Sequence, residues 1–566
     1  MASLTAKRVH GKTYYYAREC QRVNGKPKIV RTISLGSADD LIAAALKQRP
    51  GQAPQPKSVE IAAFGDVVAF YDLAQQIGLV ELLDRHLPKR HQGLSVGEYL
   101  LLAAINRAVR PVSKLRLADW YRTTALTRLI PAKASQLSSQ SFWNHLDFLE
   151  EHHIGAVERE LSQRLIDQFQ LALRTLAYDG TNFFTFIDTR TPAELPQRGH
   201  NQQKRNDLRQ VSLGMLVSTD FHVPLFHKVY AGNVNDGTIF ATITEELRVR
   251  YQELARDCEH ITLIFDKGNN GDDAFATLDA TDFHFIGSLV PSYHLDLLDV
   301  PSSRYQPLTG ERLKDVRADR TQKVIYGQER TIVVTHNDNL LHGQLQGLTS
   351  ALDKARDRLR EIQTKLRRRR EGRLRGGKAP TAASILRQAQ DALAGQHVKT
   401  VLEVKVGDGK IPTLSFQTNQ AALSRLVEKQ LGKTILFTDN DDWTNEEIVL
   451  GYRSQHHIED AFRQMKHPHD LSWQPMYHWT DSKIRAHAFI CVLALTLSSL
   501  LQRTLHQKGL DLSLPRMFES LGGIRETLVI SPKKQGQRHP TTARALSTLS
   551  PEQEQLLGLL DLRRYL

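Results

Sequence analysis

The stretch RTLAYDGTNFF, residues 174–184, opens the region from which the fold is predicted. Two more apolar stretches follow it, RQVSLGMLVS at residues 209–218 and HVPLFHKVY at residues 222–230, with the tight turn STDFH between them. Apolar runs of this length, bounded by turn residues, are typical of buried strands. Short connections join strands that are neighbours and antiparallel. The region therefore predicts three consecutive antiparallel strands.

The succession continues with a helical pattern over residues 237–256 and a fully apolar strand, ITLIFD, residues 261–266, which ends in an acid. A short helix and the strand FHFIGSLV, residues 283–290, complete it. The resulting order, β-β-β-α-β-α-β, is that of RNase H-like folds. The sequence thus predicts an α/β protein with an RNase H-like core, in which helices cover a mixed five-stranded sheet. A β-rich and helical insertion interrupts this core, and a small β unit and a helical domain precede it.

The predicted segments, in chain order, are an N-terminal β unit (1–55), a helical domain (56–170), the first part of the core (171–290), the insertion (291–435), the second part of the core (436–510) and a C-terminal helical tail (511–566). In the β unit, TYYYARE and KPKIVRTISL flank Asn24-Gly25, a favoured two-residue hairpin turn. In the helical domain, apolar residues recur every three or four positions. Both a DNA-binding domain and a plain scaffold fit that pattern.

The insertion contains two predicted hairpins, KVIYGQERTIVV and VLEVKVGDGKIPTLSF, and one long helix. Its apolar residues follow the 3-4 spacing of a coiled-coil seam: Leu345, Leu348, Leu352, Ala355, Leu359, Ile362 and Leu366. The helix ends in RRRREGRLRGGKAP, and a second helical stretch, TAASILRQAQDALA, follows. The pattern predicts an antiparallel helical arm with a basic tip.

The basic tip is the most charged part of the chain, since residues 353–378 hold 12 Lys/Arg against 4 Asp/Glu. We expect its four consecutive arginines to contact DNA phosphates: Arg367, Arg368, Arg369 and Arg370. A solvated helix face and a dimerisation device are the two alternatives.

The overall composition fits a protein that binds nucleic acid, because the formal net charge is +13. Cys20, Cys258 and Cys491 form no CxxC pair, which argues against a disulfide framework and a thiolate zinc site. The N-terminus lacks the apolar stretch of a signal peptide. The longest apolar run, residues 488–501, is too short to span a bilayer and is predicted to be a buried helix. We therefore expect a cytoplasmic, nucleoid-associated protein without a membrane partner.

Two aspartates are placed where phosphodiester chemistry needs carboxylates. Asp179 lies in the first predicted strand and Asp266 ends the fourth, and in an RNase H-like sheet these strands are adjacent. Cleavage and transfer of phosphodiesters use two divalent ions roughly 3.5–4 Å apart, and Mg²⁺ prefers carboxylate oxygens. The rival acids Asp188, Asp207 and Glu446 are interpreted as structural.

A third carboxylate, Glu459, follows a capping box made by Thr444 and Glu447. On one continuous helix, several residues would share a face with it: Tyr452, Gln455, Arg463 and Lys466. Such a face suits a helix laid along DNA, with Glu459 at the metal ions and the cations on phosphates. A solvated face with i,i+4 pairs is the alternative. The histidines at 456, 457, 467 and 469 are better explained by chance than by a zinc site.

These residues carry a resemblance to a known family. The segment resembles the Tyr-x-x-Arg-x-x-x-Glu-x(6)-Lys signature of bacterial insertion-sequence DDE transposases, the group called insertion-sequence family four. Tyr452, Glu459 and Lys466 fall on the pattern, whereas Gln455 stands where the family has Arg and Arg453 is its nearest substitute. The blocks around Asp179 and Asp266, DLRQVSLGMLVSTDFHVPLFHKVYAGNVND and IRAHAFICVLALTL also look like the family's blocks. The resemblance covers roughly residues 170–290 and 430–505.

The resemblance implies a set of roles for these residues. Asp179, Asp266 and Glu459 would be both catalytic residues and ligands of two Mg²⁺ ions, for which Mn²⁺ substitutes, and Tyr452 and Lys466 would contact the transposon end. The implied reaction is cleavage at the terminal inverted repeats, which frees 3′-hydroxyls, followed by their attack on target DNA. The implied partners are double-stranded DNA and a second copy of the chain. A related nuclease without strand transfer and a decayed, non-catalytic DNA-binding protein are the alternatives.

Overall fold

The computed structural model describes residues 2–9, 12–23, 26–47, 58–87, 93–188, 190–201, 203–234, 236–254, 261–374, 376–531 and 542–566. The chain forms two compact units. The smaller unit consists of Met1–Gly65, Thr123–Ala125 and Ser520–Leu566, and the larger one consists of Asp66–Arg122 and Leu126–Glu519. Most of the predicted helical domain, residues 66–122 and 126–170, therefore belongs to the same unit as the predicted core.

The described residues form strands with the following bounds: β1 Ala2–Val9, β2 Lys12–Val23, β3 Lys26–Ser37, β4 Ser58–Ala63, β5 Thr175–Thr185, β6 Arg209–Ser218, β7 Pro224–Ala231, β8 Thr262–Ile264, β9 His284–Leu289, β10 Gln306–Pro307, β11 Val316–Ile325, β12 Gln328–Asn337, β13 Leu402–Gly407, β14 Thr413–Thr418, β15 Lys433–Thr438, β16 Arg525–Ile530 and β17 Thr542–Leu546.

The α-helices have these bounds: α1 Ala38–Lys47, α2 Gly65–Ile77, α3 Leu79–His86, α4 Val96–Val109, α5 Lys114–Tyr121, α6 Leu126–Leu129, α7 Ser139–Leu146, α8 Glu151–Phe169, α9 Asp236–Leu254, α10 Asp272–Leu278, α11 Leu295–Leu298, α12 Asp338–Arg370, α13 Ala382–Ala392, α14 Val398–Val401, α15 Gln420–Lys429, α16 Asn445–Arg453, α17 His456–Met465, α18 Asp481–Gln507, α19 Leu514–Gly522 and α20 Pro551–Leu559.

The larger unit is built on a mixed nine-stranded sheet with the order β10-β11-β12-β15-β9-β8-β5-β6-β7. Strands β5, β6 and β7 are antiparallel neighbours, whereas β8 lies parallel to both β5 and β9. The predicted succession of three strands, helix, strand, helix and strand is present as β5-β6-β7-α9-β8-α10-β9. The α/β architecture with a large mixed sheet is confirmed.

The sheet is wider than the predicted five strands because strands of the insertion join it. Strand β15 pairs antiparallel with the edge of β9, and β12 then pairs with β15. The predicted hairpin β11–β12 adds two strands through a tight turn in which Tyr326 and Gly327 have positive φ values of 51° and 80°. The unpaired edge of β9 accounts for this extension, since open strand edges pair readily.

The remainder of the insertion forms the predicted arm with its own apolar core. Helix α12 is 33 residues long, and α13 and the hairpin β13–β14 pack against it. The predicted seam is confirmed, because its residues from Leu348 to Leu366 are buried and Leu345 is partly buried. Thr381 caps the start of α13 by accepting a hydrogen bond from the backbone N–H of Ser384.

Helix α18 is the central helix of the larger unit. The prediction that its apolar stretch, residues 488–501, is too short to span a bilayer is wrong, because the helix that contains it is long and apolar enough to do so. However, 94% of its 18-residue apolar window is buried inside the protein. It packs against α4, α7, α8 and β7, so the helices of residues 66–170 cover this side of the unit. This burial agrees with the predicted core helix.

Two basic side chains are buried in this core. Arg107 of α4 is 1% exposed, and Lys114 of α5 is 5% exposed. Burial and, to a smaller extent, the positive charge of Arg107 together lower the pKa of the Lys114 ammonium group to about 7. An unfolded lysine titrates near ~10.4. The unfolded state therefore binds more protons than the folded state between these two values, and stability rises with pH across that window.

Replacing Lys114 with Met should therefore stabilise the larger unit at pH 7 by about 2 kcal/mol, because an apolar side chain of similar length has no buried charge to desolvate. The variant should also lose the rise in stability between pH 7 and pH 10 that this lysine produces. Urea unfolding at several pH values measures both effects. The exposed Lys314→Met variant is the control, and equal stabilities of the wild type and Lys114→Met at pH 7 would contradict the prediction.

The smaller unit contains two antiparallel sheets, β1-β2-β3 and β17-β16-β4. The predicted hairpin is confirmed in its strands, since Val23 of β2 pairs with Lys26 of β3, while Asn24 and Gly25 lie outside the described residues. The predicted C-terminal tail is only partly helical, because β16 and β17 lie within it and β16 pairs with β4.

Candidate active site

Asp179 lies within β5, and Asp266 lies two residues beyond the end of β8, the parallel strand that pairs with β5. Strands β5 and β8 pair in register up to Ala177 and Ile264, and each aspartate lies two residues beyond that pair. A spacing of two residues keeps both side chains on the same face of the sheet. Both aspartates are half-buried, next to buried Tyr178 and Phe265. The register of β5 and β8 thus places these two sequence-predicted acids at corresponding positions, two residues past the last paired residues.

Asp266 is held by two hydroxyl groups. Ser288 of β9 donates from Oγ to Oδ1 of Asp266 at 3.2 Å, and the hydroxyl of Tyr452 donates to Oγ of Ser288 at 2.9 Å. The Tyr452 hydroxyl also lies 3.4 Å from Oδ1 of Asp266. Asn270 donates to the backbone carbonyl of Ser288 at 2.9 Å. These contacts fix the orientation of one candidate carboxylate.

Glu459 lies on α17, which packs against β5 and β6. Burial raises the pKa of the Tyr452 phenol above its ordinary range, and the negative charges of Asp266 and Glu459 raise it further. The negative charges of both carboxylates therefore raise the pKa of this one hydroxyl group. Glu459 itself is exposed. Within the described ranges, no three His, Cys, Asp or Glu side chains converge closely enough to hold an ion together.

The predicted continuous helix through Tyr452 and Glu459 is wrong, because α16 ends at Arg453 and α17 begins at His456. Two side chains form hydrogen bonds with backbone carbonyls that would accept from backbone N–H groups in a continuous helix. The hydroxyl of Ser454 donates to the carbonyl of Gly451 at 2.6 Å, and Nδ1 of His456 bonds the carbonyl of Arg453 at 2.7 Å. Such local bonds compete with the helix ladder. The capping box at the start of α16 is confirmed.

The break changes the predicted DNA-facing stripe. Gln455 falls between the two helices and is only 8% exposed, and Arg453 donates to the carbonyl of Arg312 at 2.6 Å. Arg463 is exposed and forms an ion pair with Asp460. The stripe prediction is therefore wrong for Gln455, whose side chain faces the interior.

Lys466 contacts β5, the strand that carries Asp179. Its ammonium group donates to Oγ1 of Thr181 and lies 5.4 Å from the centre of the Phe183 ring. Burial lowers the pKa of Lys466, and the negative charge of Asp179 opposes that effect. Lys466 thus places a cation beside Asp179 on the strand that carries it.

The four arginines of the arm tip do not share one environment. Arg367 and Arg368 are exposed at the end of α12. Arg369 donates to the carbonyls of Gly376, Gly377 and Lys378, and Arg370 lies 3.4 Å from the carbonyl of Pro412. Arg369 therefore closes the loop that follows the helix, and Arg367 and Arg368 are the more accessible cations.

The rival acids have structural partners. Asp207 pairs with Arg205, Asp188 accepts from the backbone N–H of Arg190, and Glu446 accepts from Thr309. The sequence reasoning missed Ser288, because a serine within an apolar strand carries no pattern of its own. Its one signal is position: Ser288 lies near the end of the strand that follows Asp266.

The sequence was compared with known proteins. A family model described as "Transposase DDE domain" matches residues 174–497, more than half of the chain. The chain belongs to this family. The matched span begins just before β5 and ends within α18, so this DDE transposase carries Asp179, Asp266, Glu459 and the entire nine-stranded sheet within its family domain. DDE transposases are enzymes of DNA transposition and generally use divalent metal ions.

Two solved structures of transposases show limited similarity to this one. The first is described as a cryo-EM structure of the piggyBac transposase synaptic complex with hairpin DNA. It is 10% identical, with 82% of each chain covered and a TM-score of 0.36. The second is the Mos1 transposase paired-end complex with the left transposon end, which is 14% identical. Its match covers 33% of this chain and 62% of that chain, with a TM-score of 0.15. No curated protein matches the sequence.

Proposed function

We propose that this transposase cuts DNA at the ends of a bacterial insertion sequence and joins the freed 3′-hydroxyls to target DNA. Its RNase H-like core would supply Asp179, Asp266 and Glu459 as catalytic carboxylates. The proposal depends above all on one observation: Asp179 and Asp266 each lie two residues beyond the last pair of the parallel strands β5 and β8, inside the family domain. The signature residues Tyr452, Glu459 and Lys466 support the assignment to insertion-sequence family four.

The donor set fits hard divalent cations. Half-buried carboxylate oxygens on rigid strands are what Mg²⁺ prefers, and Asp179 and Asp266 offer them side by side, with Mn²⁺ as the expected substitute. Glu459 would complete the ligand set from α17. If Asp179, Asp266 and Glu459 held two such ions, the ions would supply activation of the attacking oxygen and stabilisation of the leaving oxygen.

Glu459 must approach the aspartates for this role. A two-residue turn at Ser454 and Gln455 separates α17 from α16, and we propose this turn as the point at which α17 moves. We propose that binding of DNA and metal moves α17 towards Asp179 and Asp266.

The neighbouring residues have distinct proposed roles. Ser288 and Tyr452 orient Asp266, while Lys466 balances the charge of Asp179 and contacts a phosphate of the transposon end. Arg463 extends the phosphate contact along α17. Arg367 and Arg368 at the arm tip, with Arg369 and Arg370 behind them, bind the duplex further away. Arg453 and Gln455 have weaker claims, because one is engaged with a backbone carbonyl and the other is buried.

The proposed partners are the terminal inverted repeats, target DNA and a second copy of the chain that pairs two ends, in the cytoplasm at the nucleoid. A nuclease without strand transfer and a non-catalytic DNA-binding protein remain the alternative functions. Both are tested by one assay, in which precleaved ends and a supercoiled target are incubated with the protein and Mg²⁺. Joined products support the transposase, cleavage without joining supports the nuclease, and binding alone supports the decayed protein.

Replacing Ser288 with Ala should weaken metal binding by about 10-fold or more, as losses of residues that orient metal ligands do. The bound fraction of Mn²⁺, measured by electron paramagnetic resonance, reports the effect without relying on catalysis. Ser288→Thr keeps the hydroxyl and should restore most of the affinity, and the exposed Ser303→Ala variant is the control. Unchanged Mn²⁺ affinity in Ser288→Ala would remove Ser288 from this role.

A further inference from the structure

The chain that leaves Asp266 forms a tight turn that carries two asparagines. A single turn of 3-10 helix, Lys267–Asn269, is followed directly by Asn270. The backbone N–H of Asn269 donates to the carbonyl of Asp266 at 3.0 Å, and the backbone N–H of Asn270 donates to the carbonyl of Lys267 at 3.4 Å. These two hydrogen bonds fix the path of the backbone from the candidate carboxylate to Asn270.

The side-chain amide of Asn270 is oriented by Ser288. Its Nδ2 donates to the backbone carbonyl of Ser288 at 2.9 Å. Because a backbone carbonyl can only accept a hydrogen bond, this contact also determines which amide atom is the nitrogen and which is the oxygen. The hydroxyl of the same serine donates to Oδ1 of Asp266 at 3.2 Å. Asn270 and Asp266 are therefore both held by Ser288, one through its carbonyl and the other through its hydroxyl.

The remaining amide atom, Oδ1 of Asn270, is buried and accepts no hydrogen bond from any residue that the structure describes. A buried acceptor without a donor destabilises the folded protein, so such an atom calls for a functional explanation. There is room beside the turn, because a Cβ atom at Gly268 or Gly271 would meet no described atom within 4 Å beyond its chain neighbours. A buried acceptor oxygen next to open space fits a positively charged partner.

We propose that Oδ1 of Asn270 is a neutral oxygen ligand of the divalent cation held by Asp266. Carbonyl oxygens suit the same hard cations as carboxylates do. Among the described residues, no three His, Cys, Asp or Glu side chains form an ion-binding group, so a further oxygen donor of another residue type supplements the acids. An amide oxygen adds a donor without adding a negative charge that would repel Asp179 and Asp266. This inference rests on the proposed function, which places the cation at Asp266.

The test measures Mn²⁺ binding to the full-length protein by electron paramagnetic resonance, without DNA and without a reaction. Asn270→Ala should weaken binding by about 10-fold or more, because loss of even an outer partner of a metal ligand weakens metal affinity to that extent. Asn270→Asp separates a ligand from a residue that only positions Ser288. It keeps an oxygen donor and adds a charge, so a ligand role predicts affinity equal to or above that of the wild type. It cannot donate to the Ser288 carbonyl, so a positioning role predicts the same loss as in Asn270→Ala.

The matched control is Asn445→Asp, which should leave Mn²⁺ affinity unchanged. Asn445 also has a buried Oδ1 without a hydrogen-bond donor among the described residues, but it lies at the start of α16, at the opposite end from Tyr452.

A double variant tests the route through Ser288. Ser288→Ala removes the hydroxyl that links Asn270 to Asp266, so Asn270→Ala should weaken Mn²⁺ binding further in that background. No further loss there, unchanged affinity in Asn270→Ala, or a loss in Asn270→Asp equal to that in Asn270→Ala would overturn the inference. Circular dichroism of the metal-free variants checks folding, and Asn270→Asp decides alone if Asn270→Ala is unfolded. A wild type that binds Mn²⁺ as Asn270→Ala does contradicts this inference alone, whereas one that binds no Mn²⁺ contradicts the proposed function as well.

Discussion

Asp179→Asn, Asp266→Asn and Glu459→Gln should each reduce DNA cleavage by about 10³-fold or more while leaving DNA binding within a few-fold of the wild type. Carboxylates that hold divalent ions contribute several kcal/mol of transition-state stabilisation, and each 1.36 kcal/mol corresponds to about tenfold in rate. The amide variants keep size and shape, so a loss of folding does not confound the result. Cleavage of a labelled end in Mg²⁺ and gel-shift binding in Ca²⁺ measure the two properties separately.

The matched controls are acids that the structure assigns to other partners. Asp207→Asn and Glu446→Gln should cleave normally, because Asp207 pairs with Arg205 and Glu446 accepts from Thr309. Retained cleavage in any one of the three active-site variants would exclude that residue. The Glu459 variant is the most informative of them, because the structure places Glu459 near Tyr452 but not within one metal-binding group with the aspartates.

Arg107→Met should destabilise the larger unit by about 3–5 kcal/mol, as removal of one partner from a buried charged contact does. Arg107 is 1% exposed and donates to the carbonyls of Val112, Ser472 and Gln474. Methionine fills much of the same space and leaves these carbonyls without their donor. The exposed Arg110→Met variant should change stability by less than about 0.5 kcal/mol. Urea unfolding followed by tryptophan fluorescence compares them, and equal midpoints would contradict the prediction.

Sequence reasoning succeeded where the signal is local or repeated. The apolar runs around Asp179 and Asp266 define two strands, and their order in the chain is enough to make them neighbours. The buried seam from Leu348 to Leu366 was predicted equally well, because the helical spacing of apolar residues determines which of them are buried. Both predictions depend on periodicity, which is a property of nearby residues.

Sequence-based prediction was wrong where residues distant in the sequence, or competing hydrogen bonds, determine the structure. The pairing of β15 with β9 brings Ile435 opposite Leu289. No pattern within either strand predicts that the two strands will pair. The helix break depends on side-chain bonds of Ser454 and His456 to the carbonyls of Gly451 and Arg453. The helical periodicity of the apolar residues carries no information on these competing hydrogen bonds.

The attachment of the helical arm has a consequence for how this enzyme can vary. The arm leaves the sheet at Asn337, the last residue of β12, and returns at Lys433, the first residue of β15. These strands are antiparallel neighbours, and the amide of Asn337 donates to the carbonyl of Gly432 at 2.8 Å. Entry and exit therefore coincide, as they do at an ordinary hairpin. We therefore expect that the arm can be lengthened, shortened or replaced by a tight turn without a change in the register of β12 and β15.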